Sequence, residues 1–111
     1  MADRTFHTVA TPAFEVTFIL GDGEDALSVD NVDAEITLPD DTRWSATFVT
    51  LDVIKSIMDR WRESGEHLNG KYFACPDLVI VAAPGISSMI DSIDDILASG
   101  GLQGILSAIR P

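Results

Sequence analysis

The chain has 111 residues, 46% of them apolar, and its 18 acidic side chains against 7 basic ones leave a formal net charge of −11. That length and apolar share suit one globular domain with no need of covalent staples, and they exclude a disordered chain. The acidic excess argues against a nucleic-acid partner, which calls for a basic face, and no apolar run approaches the roughly 18 residues of a membrane span.

The first dozen residues, MADRTFHTVATP, carry no apolar export core and read as a flexible N-terminal arm (residues 1–12) ahead of a single domain (residues 13–111). From Phe14 the pattern has a period of two: Phe14, Val16, Phe18 and Leu20 share one face, as a half-buried strand requires. Gly21-Asp22-Gly23 ends it. A second alternation covers Ala34–Leu38, Pro39-Asp40-Asp41 reads as a turn, and Trp44, Ala46 and Phe48 alternate with polar residues, which predicts an antiparallel hairpin.

At Thr50 the period changes. Leu51, Ile54, Ile57, Met58 and Trp61 form a helical stripe, with Thr50 as N-cap, Asp52 in the first turn, Arg60 and Arg62 in the last, and Gly65 as the stop. This stripe is expected to pack on the sheet face that carries Phe14, Val16, Phe18, Trp44 and Phe48. Lys71–Ala74 and Leu78–Ala82 read as short strands around Pro76-Asp77. After Pro84-Gly85 comes a second amphipathic helix, with Ile86, Met89, Ile90, Ile93 and Leu97 inward and Ser88 and Asp91 in capping-box spacing. Leu102, Ile105, Leu106 and Ile109 suggest a short terminal helix. The order β-β-β-α-β-β-α-α predicts an α+β fold, an antiparallel sheet of about five strands with helices on one face.

Chemistry-bearing patterns are sparse. Cys75 is the only cysteine, so no disulfide or CxxC pair can form, and it reads as a small buried hydrophobe. Gly85-Ile86-Ser87-Ser88-Met89 lacks the second glycine of a nucleophile elbow, and no histidine follows His67. The acid-rich stretches 22–25 and 30–33 do not follow the spacing of a calcium loop. Trp44 and Trp61 fall on inward stripes and read as core, and His67 reads as a solvated loop residue. Catalytic residues, metal ligands and a cofactor are therefore not expected.

Half of the acids fall between Glu15 and Asp41, and no lysine or arginine lies between Arg4 and Arg43. A field of one sign speeds encounter with a basic partner. Asp22, Glu24, Asp25, Asp30, Asp33, Asp40 and Asp41 are the candidate partner-binding residues. The profile, a single acidic α+β domain of about a hundred residues, resembles the immunity proteins of bacterial polymorphic and contact-dependent toxin systems. The segment RWSATFVTLDVIKSIMDRWRESGEHLNGKYFACPDLVIV is similar to stretches of small bacterial proteins. The likeness is one of size, charge and class. It implies a cytoplasmic, non-catalytic inhibitor that binds and blocks a cognate toxin, with acids meeting a basic toxin surface. A homo-oligomeric or small-ligand-binding module is the second expectation, and a small enzyme the third.

Overall fold

The computed structural model describes residues 5–110. Six strands form one sheet: β1 (Thr5–Ala10), β2 (Glu15–Leu20), β3 (Asn31–Thr37), β4 (Arg43–Thr50), β5 (Leu78–Val81) and β6 (Ser107–Ile109). Four helical segments complete the fold: α1 (Leu51–Ser64), α2 (Glu66–Gly70), α3 (Ile86–Ala98) and α4 (Leu102–Ile105). The class is the α+β class that the periodicities predict.

Strands β1 to β4 make an antiparallel meander. The alternation of β2, β3 and β4 turns Val16, Phe18, Val32, Ala34, Ile36, Ala46 and Phe48 to one face, where they are buried. Phe14, just before β2, joins them in the same core. The turn after β3 closes with Asp41 donating its amide to the Leu38 carbonyl at 2.9 Å, and Asp41 takes a left-handed φ of 67°. Beyond β4 the sheet departs from an all-antiparallel frame. Thr47–Thr50 pair in parallel with β5, whereas Arg43–Ser45 pair antiparallel with β6, so two short strands share one edge of β4.

Several expectations are corrected. Residues 5–10 are not a loose arm: they form β1, paired with β2 from Thr5↔Leu20 to Ala10↔Glu15. Thr11-Pro12-Ala13 is the hairpin turn, with the Thr11 hydroxyl accepting the amides of Ala13 and Phe14. The arm's first four residues lie outside the described ones. Lys71–Ala74 is not a strand, and the terminal helix stops at Ile105, after which the chain turns extended and adds β6.

A further correction concerns α1. Thr50 is both the last residue of β4 and the N-cap, accepting the Val53 amide at 3.4 Å, so no loop allows the helix to swing over the core face. That face belongs to α3, whose Met89, Ile93 and Ile96 are buried in the core. No residue of α1 is buried, and none joins the core cluster; Ile54, Ile57, Met58 and Trp61 stay half-buried. Trp61 instead stacks with His67 at 3.9 Å and with Phe73 at 5.5 Å between ring centroids. Strand alternation puts Val49 on the face opposite Phe48; it is 1% exposed yet outside the core cluster, beside the start of α1.

Gly65 ends α1 as predicted, in the left-handed region. His67, Leu68 and Asn69 follow with φ between 50° and 59°, so α2 is a turn of left-handed helix. Gly70 then passes so close to α1 that a Cβ there would lie 2.1 Å from the Met58 carbonyl oxygen.

Candidate functional site: a pinned acidic loop

The loop between β2 and β3 holds four of the candidate acids, and its own chemistry sets its shape. Gly23 supplies a φ of 80° for the first bend, and the Glu24 carboxylate accepts the Gly21 amide. The Asp25 carboxylate accepts the Leu27 amide at 2.8 Å, while its carbonyl accepts those of Ser28 and Val29. Val29 is buried and ties the loop to the core.

Three further hydrogen bonds fasten the loop to neighbouring elements. The Val29 carbonyl accepts the Gly85 amide at 2.7 Å, the Ala26 carbonyl accepts the Ile86 amide at 2.9 Å, and the Asp30 carbonyl accepts the Thr50 amide at 3.1 Å. A helix start leaves amides without intrahelical partners. At α3 loop carbonyls accept two such amides, those of Gly85 and Ile86, and the expected capping box of Ser88 and Asp91 is not used; the N-cap is Gly85, with no side-chain cap. Gly85 has a φ of 97°, and a Cβ there would sit 2.6 Å from the Leu27 carbonyl oxygen. Glycine is what admits the loop.

The loop thus fills the space beyond the carboxyl ends of the parallel strands β4 and β5. In open sheets with parallel strands, that is where a crevice ordinarily receives a ligand. Here backbone occupies it. Leu27 is carried outward at the loop's crest, 85% exposed, the most exposed large apolar side chain among the described residues. Exposed single leucines are ordinary on mobile loops; one on a loop held from both sides is presented in a fixed place. Asp22 and Asp30 flank it with carboxylates that make no hydrogen bond among the described residues, and both are exposed.

The other candidate acids lie elsewhere. Asp33 is on β3, facing away from the core, with its carboxylate 3.0 Å from the Thr47 hydroxyl, whose one proton it shares with Asp77. Asp40 and Asp41 are in the β3–β4 turn, at the far end of the seven-residue strand β3 from Asp30. At roughly 3.3 Å per residue the two ends are about 20 Å apart, beyond the ~10 Å Debye length at 0.1 M salt. The acidic stretch therefore reaches from the loop to the far turn along β3, with Asp33 between its two ends. Asp40 accepts the Thr42 amide and hydroxyl at 3.0 and 2.6 Å, which lowers its pKa and marks a turn-forming role.

A second polar group sits where β5 enters the sheet. Asp77 accepts the hydroxyls of Ser45 at 2.6 Å and Thr47 at 2.9 Å and the Cys75 thiol at 3.2 Å. Burial opposes ionisation of Asp77, and the donors Ser45, Cys75 and Thr47 outweigh it, so its pKa is lowered. Cys75 is half-buried with a carboxylate as its hydrogen-bond partner. This is a brace tying the β5 approach to β4. Among the described residues, no three His, Cys, Asp or Glu side chains converge on a position that could hold a metal ion. Compared with known protein families, with curated proteins and with solved structures, the chain matches none.

Leu27 was not a sequence candidate. Leu27 and Val29 stand two apart in the same loop, and nothing in the sequence tells which of the two is buried and which is presented. What the sequence does not show is that the surrounding backbone is fixed by Thr50, Gly85 and Ile86.

Proposed function

We propose that this chain is a non-catalytic protein-binding module whose docking surface is the pinned loop Gly21–Asp30, with Leu27 as the apolar anchor and Asp22 and Asp30 as its charged rim. The observation that carries this reading is the 85% exposure of Leu27 on a loop fastened by hydrogen bonds to β4 and α3. An apolar side chain presented without freedom to fold back costs little further ordering on association, and central apolar anchors inside polar rims dominate interface energies. The partner that fits is a protein with an apolar pocket bordered by lysines and arginines. A cognate bacterial toxin blocked by an immunity-type inhibitor is the form of this reading that the acidic α+β profile favours.

The test takes the product of the gene directly upstream as the partner and measures association by surface plasmon resonance. Leu27→Ala is expected to raise the dissociation rate and weaken Kd by about 30-fold or more, the scale of a hot-spot residue. Asp22→Asn with Asp30→Asn is expected to lower the association rate at low salt and leave dissociation nearly unchanged, since rim charges act on encounter. Glu24 and Asp25 are kept, because their carboxylates shape the loop. Full-strength binding by Leu27→Ala would rule out this surface.

A further inference from the structure

We propose that the outer edge of β1 pairs with the same edge of a second copy of this chain, joining two sheets into one across a two-fold axis. Every β1 residue from Thr5 to Ala10 is paired with β2, and among the described residues none pairs with the other side of the strand. An open strand edge presents unpaired amides and carbonyls to water and templates another strand. Proteins ordinarily block such an edge by keeping it short or by adding charge, proline or a bulge. The opposite edge of this sheet is blocked in the first way, being broken into the four residues of β5 and the three of β6. β1 has six residues in unbroken register, with neither charge nor proline within it.

Charge selects a second copy as the occupant. Two chains of −11 repel, yet no Asp, Glu, Lys or Arg occurs from Thr5 to Phe14, and β2 adds only Glu15. With strands about 4.8 Å apart, the acids of β3 and beyond lie about 10 Å or more from the edge, roughly one Debye length at 0.1 M salt. This edge is where two copies approach with least repulsion. A partner bearing the basic rim that suits Leu27 finds only Glu15 near this edge to meet it. An antiparallel pairing of β1 with itself closes on a dimer, whereas joining β1 to the β5 side of another copy would propagate without end. Phe6, 65% exposed on the face opposite the core, lies on the joined strand and gains a cross-strand neighbour from the second copy.

Sedimentation equilibrium over a dilution series, with hydrogen–deuterium exchange read at each concentration, tests the pairing. The expected result is twice the chain mass at the concentrated end, with alternate amides of Thr5–Ala10 protected there and released on dilution. Phe6→Lys is expected to give a monomer with unchanged circular dichroism. If that variant fails to fold, the dilution dependence of β1 exchange in the unaltered chain still decides. A monomer at all concentrations, assemblies larger than a dimer, or a dimer whose β1 amides exchange as freely as in the monomer would each overturn the proposal.

Discussion

Asp77 is the side chain on which the joint between β4 and β5 most depends, with three donors on one carboxylate. Its folded pKa is depressed below the ordinary 3.8, so near that pH the unfolded chain binds more protons than the folded one. Its contribution to stability is therefore complete above pH 3.8 and lost as pH falls through the lower, folded value. Asp77→Asn keeps one acceptor oxygen in place of two and removes the charge. Urea midpoints measured from neutral pH into acid are expected to start lower for the variant and to converge on the parent below pH 3.8. Parallel curves would assign the acid sensitivity to other carboxylates. Residues of this kind show how little of a role one position declares: Asp77 in Pro76-Asp77 reads as a turn former, and only the approach of Ser45 and Thr47 from a distant strand makes it a brace.

Among the elements, α1 and α3 carry equally clear apolar stripes, and the sequence does not say which covers the sheet. The deciding fact is the connection. α1 starts on the strand's last residue, whereas α3 follows the turn Ala82–Gly85 and comes to lie on the core face. Substitutions should separate the two. Ile93→Ala is expected to cost about 2–5 kcal/mol as a fully buried aliphatic. Trp61→Ala is expected to cost about 1–2 kcal/mol, the scale of the stacking it loses with His67 and Phe73 plus partial burial. Hydrogen exchange should show the Trp61→Ala change confined to α1 and α2, while Ile93→Ala speeds exchange throughout; a loss above 3 kcal/mol at Trp61 would return α1 to the core. Strands β2, β3 and β4, the turn at Pro39–Asp41 and the caps Thr50 and Gly65 are legible because local period and local burial agree there. β1 is not, since its inward positions are Thr5, His7 and Val9 while its largest apolar residue, Phe6, faces outward, so no apolar period marks the strand. β6 is hidden because Leu102, Ile105, Leu106 and Ile109 keep helical spacing while the backbone turns extended after Ile105. The candidate site was half legible: its acids were visible as charge, and its anchor and its fastening were not.

Across the whole molecule, charge is unevenly spread. From Leu51 to Ala74 the acids Asp52, Asp59, Glu63 and Glu66 are balanced by Lys55, Arg60, Arg62 and Lys71, so the full net charge of −11 belongs to the remainder. Such a distribution orients an approaching basic body toward the sheet, its loops and the Asp91, Asp94 and Asp95 of α3 and away from α1, which adds to the rate of encounter at low ionic strength. The order of assembly is uneven too. The meander from β1 to β4 is built from neighbours in the chain, but the outer edge of β4 is finished only by β5 and by Ser107–Ile109. During synthesis the ribosome releases these pieces in that order. A nascent chain halted after α3 has emerged thus holds the Arg43–Ser45 stretch of β4 paired with β3 but open on its outer edge, with Trp44 uncovered by its cross-strand neighbour Ala108. Stalled chains of increasing length, challenged with a brief pulse of protease, are expected to become resistant in one step as Ile109 clears the exit tunnel; resistance already complete at Ala98 would mean that the last strand decorates a finished fold. Until that step the translating chain is an open sheet that a ribosome-associated holdase can reach, and its vulnerability is set by translation speed.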